Sequence, residues 1–190
     1  MARCYSDGMP PRYPSLPPVW LISDARNDAR LERILRRLPR GSAFVFRHYH
    51  LDGAARKARF VALARIARAR GHRVILAGSM AEARCWGADG AYGAAKRLQG
   101  GARGWRALIA HSLREIARAR ATRADAIVLS PVFATRSHPG ARPLGPARFH
   151  LLAARAGLPV IALGGMNSRR ARALAATHWA AIDGIGRRGP

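Results

Sequence analysis

Eight short apolar runs recur along this chain, and they constrain its fold more than any other feature of the sequence. Each run has the length of one buried β-strand and is too short for a buried α-helix. Between the runs lie stretches with apolar residues at helical spacing, such as Leu31, Ile34, Leu35 and Leu38. This alternation predicts α/β architecture with parallel strands, closed as a compact (β/α)8 TIM barrel. An open doubly wound sheet is the alternative, but it usually needs fewer strands.

The predicted barrel domain covers residues 19–190, behind a flexible, proline-rich leader at residues 1–18. The predicted strands are Val19–Asp24, Ala43–Arg47, Val74–Gly78, a very short one within residues 87–93, Ala107–Ala110, Ala126–Leu129, Leu158–Leu163 and Ala180–Ile185. The glycine- and arginine-rich residues 186–190 predict that the last helix is reduced or missing.

Arginine dominates the charge of the chain, which has 34 Lys and Arg against 10 Asp and Glu and a formal net charge of +24. Such an excess favours contact with polyanions. The arginines are spread over alanine-rich helical segments without a nucleic-acid motif, so we expect no specific nucleic-acid partner. Cys4 and Cys85 lack metal-ligand spacing. The sequence has no long apolar span and no signal-peptide core, which predicts a cytoplasmic protein with no membrane partner.

A polar loop follows the sixth predicted strand, where residues 130–138 read SPVFATRSH. Hydroxyls, a cation and an imidazole at the C-terminal end of a barrel strand suit an oxyanion ligand, above all phosphate. Gly164 and Gly165 after the seventh strand suit the same ligand, because glycine lets main-chain N–H groups approach an anion ahead of a helix. A solvated surface loop and a tight strand-to-helix turn are the alternatives.

The same loop resembles that of the thiamine-phosphate synthase and thiazole tautomerase (TenI) family, whose pattern is G-P-V-F-x-T-x-[ST]-K-x-G-x-x-x-L-G. The corresponding residues are Ser130, Pro131, Val132, Phe133, Thr135, Ser137, His138, Gly140, Leu144 and Gly145. Gly164-Gly165-Met166 is similar to the family's G-G-[IM] segment. The resemblance implies a TIM barrel that handles the phosphorylated thiazole half of thiamine. Its expected substrate- and phosphate-binding residues are Ser130, Thr135, Ser137, His138, Gly164, Gly165 and Asp183.

The resemblance also implies two catalytic residues. Arg47 matches the arginine of the family's Q-L-R-x-K stretch, where a guanidinium would bind a diphosphate oxygen. Its alternative is a salt bridge to Asp24 or Asp183. His111 matches the histidine of the S-[TV]-H-S stretch, to which the tautomerase branch assigns proton transfer. Its alternative is a histidine at a helix N-terminus that bonds the backbone.

Some family positions are altered in this chain. The Asn-Asp pair after strand three falls on Ala77-Gly78, and the aspartate after strand four falls among residues 94–97. Because those carboxylates hold magnesium in the synthases, we assign no metal ligands, and a magnesium cofactor is left open. Asp183 stands where family members usually carry a serine. We expect it to be paired with an arginine such as Arg47, since an unpaired carboxylate would repel phosphate.

Three functions agree with this reading. The first is a thiamine-phosphate synthase-like transferase that joins an aminopyrimidine diphosphate to a thiazole phosphate, with a degenerate magnesium/diphosphate site. The second is a TenI-type isomerase of the thiazole carboxylate phosphate, which needs no magnesium. The third is a non-catalytic barrel that binds a phosphorylated ligand. Each has a phosphorylated small molecule as its partner, and a homo-oligomer is compatible with all three.

Overall fold

The structure, a computed structural model, describes residues 16–185 except residues 102, 138, 139 and 141. Its strands are β1 (Val19–Ile22), β2 (Ala43–Phe46), β3 (Arg73–Ala77), β4 (Gly90–Gly93), β5 (Trp105–Ala110), β6 (Ala126–Leu129), β7 (Val160–Ala162) and β8 (His178–Ala181). Consecutive strands pair in parallel, and β8 closes on β1. The predicted (β/α)8 barrel is therefore confirmed.

Helices separate the strands along the chain. They are a 3₁₀ helix (Ala25–Arg30) followed by α1 (Leu31–Arg37), then α2 (Gly53–Ala69), α3 (Met80–Cys85), α4 (Ala95–Leu98), α5 (Leu113–Ala121), α6 (Gly145–Ala154) and α7 (Ser168–Ala173). The apolar spacing over residues 31–38 corresponds to α1, as predicted, and a 3₁₀ turn precedes it, with Asp24 as the N-cap that accepts the Arg26 N–H.

Two hydrophobic clusters divide the core, one inside the barrel and one between the strands and the helices. Trp20 and Ile22 belong to the inner cluster, whereas Leu21 between them belongs to the outer one. Successive side chains of a strand point to opposite faces, so strands that are buried on both faces read as continuous apolar runs. This is why the strands could be predicted from apolar runs in the sequence.

Asn27 closes the seam between the first and the last strand. Its side-chain amide donates to the Ile22 carbonyl at 3.0 Å and to the Ile182 carbonyl at 2.9 Å, and the residue is 1% exposed. One side chain thus donates hydrogen bonds to two carbonyls at the strand ends, beyond the hydrogen bonds of the strand pairing.

The predicted last strand, Ala180–Ile185, is wrong in its bounds, because β8 runs from His178 to Ala181. Its start is fixed by the Trp179 N–H, which donates to the Pro18 carbonyl at 3.0 Å. Three residues after its end, Gly184 packs so tightly on the Met166 carbonyl oxygen that an added Cβ would lie 1.9 Å from it. Asp183 therefore lies in the loop after β8.

Residues 1–15 of the predicted leader lie outside the described residues, and Leu16 packs against the inner cluster. No helix follows β8 within the described residues, which end at Ile185. A groove of about 510 Å³ lies there beside α1 and Trp179. Among the described helices, none has the length and apolarity to cross a lipid bilayer.

Candidate active site

A cavity of about 870 Å³ opens at the C-terminal ends of the strands and is the candidate active site. Its walls come from β2, β4, β5, β6, β7 and β8 and the segments that follow them. Barrel enzymes carry their reactive groups at this end, because the loops there converge on one opening. The volume is within the range of small-ligand sites in proteins.

Eight of the nine residues predicted from the sequence line this cavity, and the ninth, His138, lies outside the described residues. The eight are Arg47, His111, Ser130, Thr135, Ser137, Gly164, Gly165 and Asp183. They follow strands that are distant in sequence, and the closed barrel brings them to one opening. Their roles remain predictions.

Two glycines let the loop after β7 pack directly onto the loop after β6. Gly164 has a φ of +100°, and an added Cβ would lie 2.6 Å from the Pro131 Cα. Gly165 has a φ of +60°, and an added Cβ would lie 2.5 Å from the Ala134 carbonyl oxygen. A side chain at either position would be strained and would collide with backbone, so both positions require glycine.

Main-chain hydrogen bonds hold these two loops at that distance. The Val132 N–H donates to the Leu163 carbonyl at 2.8 Å, and the Phe133 N–H donates to the Gly164 carbonyl at 3.0 Å. The Gly164 and Gly165 N–H groups have no acceptor among the described residues. Because backbone donors need a partner, these two N–H groups at the cavity wall are suited to an anion.

Arg26, which the sequence reasoning did not select, connects three loops at the edge of the cavity. Its Nε donates to Asp24 Oδ1 at 2.8 Å, and its Nη2 donates to Ser137 Oγ at 2.7 Å. Its Nη1 lies 3.2 Å from Asp183 Oδ2. The expectation that an arginine pairs with Asp183 is met, but the partner is Arg26 and not Arg47.

The Asp24 carboxyl group beside Arg26 is held in its charged form. Burial alone would raise the pKa of Asp24, but the hydrogen bonds and the charge of Arg26 outweigh burial and lower that pKa. The hydrogen bond to Asp24 in turn raises the pKa of Arg26. The one signal of Arg26 in the sequence is its place two residues after Asp24, at the C-terminal end of the first strand.

On the side of β2 and β4, Arg47 and Tyr92 line the cavity. Arg47 forms no ion pair among the described residues, so the alternative of a salt bridge to Asp24 or Asp183 is wrong. Its guanidinium lies 5.7 Å from the ring centre of Tyr49, which is 57% exposed at the rim. Tyr92 is 5% exposed, and burial raises its pKa to about 12, so its phenol remains a hydrogen-bond donor at neutral pH.

His111 lines the cavity from the end of β5. Its Nδ1 contacts the Ser130 carbonyl, which can only accept, so Nδ1 carries a proton. In the neutral imidazole this tautomer leaves the lone pair on Nε2. The backbone contact that was the alternative reading therefore coexists with a place in the cavity. Ser112 caps the following helix, because the Glu115 N–H donates to its Oγ at 3.3 Å.

Comparison with known proteins decides the family. The model of the thiamine monophosphate synthase family matches residues 19–185. The chain belongs to this family. A curated relative, named "Putative thiamine-phosphate synthase 2" of Aquifex aeolicus, is 44% identical over 57 residues, which are 30% of this chain and 31% of that protein. The chain thus matches less than a third of that relative's length.

Solved structures with thiamine phosphate pyrophosphorylase in their names have a fold similar to that of this chain. Thiamine phosphate pyrophosphorylase from Pyrococcus furiosus superposes with a TM-score of 0.73 at 21% identity, covering 86% of this chain and 84% of that one. The thiamine phosphate pyrophosphorylase of Bacteroides thetaiotaomicron gives a TM-score of 0.59 at 11% identity, covering 88% and 83%. At these identities the two structures bear on the fold alone.

The thiamine monophosphate synthase family implies magnesium, so its fit to the cavity can be tested. Magnesium is usually held by one or two carboxylates in addition to substrate phosphates. Among the described residues that line the cavity, Asp183 is the one carboxylate, and Arg26 already pairs with it. Asp52, which follows β2 in sequence, does not line the cavity and caps α2 by accepting the Ala55 N–H at 2.8 Å. These residues do not fit a magnesium site.

A second group of possible ligands lies outside the cavity wall, where single atoms of Asp28, His48 and His50 lie within 4.8 Å of one another. Asp28 Oδ1 already accepts from His48 Nε2 at 2.9 Å and lies 2.8 Å from Arg59 Nη2. Two imidazoles beside a guanidinium do not suit magnesium, which prefers oxygen ligands.

Proposed function

We propose that this barrel joins an aminopyrimidine diphosphate to a thiazole phosphate, the reaction of thiamine-phosphate synthase. The supporting observation is that one cavity has groups suited to an anion on both sides. Gly164, Gly165 and Ser137 offer donors on the side of β6 and β7, and Arg47 offers, on the side of β2, a guanidinium that forms no ion pair among the described residues. A site for two phosphorylated substrates needs two such sets. A cytoplasmic location fits this role, since phosphorylated intermediates are made there.

The reaction requires charge neutralisation more than acid–base chemistry. The bond between the pyrimidine methylene carbon and the diphosphate oxygen breaks, and diphosphate leaves with the electron pair. The thiazole nitrogen then forms the new carbon–nitrogen bond. Arg47 would neutralise the departing diphosphate, and the Tyr92 phenol would donate a hydrogen bond to it, because both face the cavity. No step is assigned to magnesium.

Steady-state turnover of the two substrates, with magnesium and with a chelator, tests this proposal. We expect thiamine phosphate to form and Arg47→Gln to lower kcat/KM by about 10²-fold to 10³-fold, as for the loss of one donor to a developing anion. Arg36→Gln is the matched control, because Arg36 pairs with Glu32 on the exposed side of α1. Ligand binding without product in either condition would indicate the non-catalytic barrel.

A second candidate is isomerisation of the thiazole carboxylate phosphate, as in the TenI branch. His111 favours it, because its Nε2 lone pair suits a general base and Asp183, the one carboxylate among the described cavity-lining residues, is paired with Arg26. The test is to follow the isomerisation spectroscopically with wild type and His111→Gln. Turnover that depends on His111, with no thiamine phosphate from the two-substrate assay, would favour the isomerase.

A further inference from the structure

Arg26 links three loops that belong to different strands. Asp24 precedes it by two residues, Ser137 lies 111 residues away, and Asp183 lies in the loop after β8. Its side chain is only 34% exposed. Each of the three guanidinium nitrogens has a partner, so contacts with three different groups fix the position of the Arg26 side chain. Such fixation is typical of a residue that positions other groups.

The hydrogen bond between Arg26 and Ser137 determines what the Ser137 hydroxyl can do. A guanidinium has only donors and keeps its protons in proteins, so Ser137 Oγ must accept in the 2.7 Å contact. The hydroxyl proton of Ser137 is then free to donate elsewhere. Because Ser137 lines the cavity, that proton is available to a ligand oxygen. Arg26 thereby makes Ser137 a donor towards the cavity.

The ion pair with Asp183 determines the charge of the same pocket. Asp183 shares the cavity wall with Gly164 and Gly165, whose N–H groups have no acceptor among the described residues. An unpaired carboxylate about 5 Å from a phosphate would weaken phosphate binding roughly hundredfold at an effective dielectric of 20. The guanidinium 3.2 Å from Asp183 Oδ2 offsets this repulsion.

We propose that Arg26 is a positioning residue that prepares this pocket to bind a phosphate group, by neutralising Asp183 and orienting Ser137. The proposal rests on the proposed function, because it takes the pocket of Gly164, Gly165 and Ser137 as the phosphate site. A lysine would serve poorly at position 26, because an ammonium group lacks the planar fork that reaches three partners.

The test is a double-mutant cycle with inorganic phosphate and with thiazole phosphate as probes, measured by calorimetry. We expect Arg26→Gln to weaken the binding of both probes by about 30-fold to 100-fold. Asp183→Asn alone should change it by less than about threefold, since that carboxylate is already neutralised. The double variant Arg26→Gln/Asp183→Asn should recover to within about tenfold of wild type, since the repulsion is gone and only the Ser137 orientation is lost.

Arg26→Gln should also raise the KM for thiazole phosphate while kcat changes little. Arg36→Gln serves as the matched control, and far-ultraviolet circular dichroism checks folding. Unchanged phosphate affinity in Arg26→Gln, or no recovery in the double variant, would overturn the role of Arg26 and leave the proposed function standing. A wild type that binds neither probe would overturn both. If adding Asp183→Asn to Arg26→Gln restores phosphate affinity, Arg26 acts by neutralising that carboxylate. A merely structural role of Arg26 cannot produce this result.

Discussion

At the scale of single residues, side chains that satisfy backbone groups hold the rim of the barrel together. Asn27 uses both ends of its amide, since Nδ2 donates to two strand-end carbonyls and Oδ1 accepts from the Asp24 N–H at 2.9 Å. Asp24 in turn binds Arg26. The seam between β1 and β8 and the Arg26 network are therefore consecutive parts of one hydrogen-bonded chain.

Asn27→Asp is a nearly isosteric test of the seam. The change removes two donors and places a carboxylate against two carbonyl oxygens, so we expect the free energy of unfolding to fall by about 2–4 kcal/mol. Urea denaturation measures it. The matched control is Asn167→Asp, because among the described residues the Asn167 side chain makes its hydrogen bond through Oδ1, which accepts the Arg170 N–H at 2.8 Å. Aspartate caps helices as well as asparagine, so this control should be close to neutral. Equal losses in the two variants would contradict the account of the seam.

At the scale of elements, the strands and the polar ends of strands could be predicted, and the contacts between loops could not. Buried parallel strands leave a continuous apolar run, and the residue after the run lies at the mouth by topology, as for Ser130 and Gly164. Arg26 and Ser137 are separated by 111 residues, and no periodicity relates them. The start of β8 was wrong for a similar reason, because it depends on the contact of Trp179 with a distant segment.

Gly165→Ala tests the packing of the β7 loop on the β6 loop. The φ of +60° and the Ala134 carbonyl oxygen at 2.5 Å from an added Cβ predict a loss of about 1–3 kcal/mol in stability and weaker phosphate binding. Thermal unfolding with and without phosphate measures both effects.

Gly53→Ala is the matched control, because nothing lies within 4 Å of an added Cβ at the start of α2. There the change should stabilise the protein by up to about 1 kcal/mol. A loss of the same size in both variants would mean that packing at Gly165 is not the cause.

At the scale of the whole molecule, acid should destabilise the barrel through groups that the fold buries. Burial lowers the pKa of His48, His72 and His178 below the ordinary value of 6.5. The unfolded chain therefore binds more protons than the folded one as the pH falls through that value. The pKa of Asp28 is also lowered, because hydrogen bonds from His48 and Arg59 outweigh its burial. That carboxylate extends the loss of stability to lower pH.

The expected result is a free energy of unfolding that is highest near neutral pH and falls steadily between about pH 7 and pH 5. His72→Gln should make this decline shallower, because the amide can donate to the Leu35 carbonyl, which His72 Nε2 contacts at 3.0 Å, but cannot take up a proton. His150→Gln, at an exposed position on α6, is the matched control. Urea denaturation across the pH range gives both slopes, and identical slopes for His72→Gln and wild type would contradict the assignment.

The exposed arginines at the cavity mouth, Arg136, Arg169 and Arg170, also affect how fast a ligand arrives. A cationic opening on a chain of net charge +24 steers anions towards it over distances of about a Debye length, near 10 Å at 0.1 M salt. Raising the salt from about 20 to 200 mM should lower the association rate constant of thiazole phosphate by roughly tenfold, with the dissociation rate constant nearly unchanged. Stopped-flow measurement separates the two. The rate of substrate association would then depend on the ionic strength of the solution. The residence time of the substrate would depend on its contacts inside the cavity.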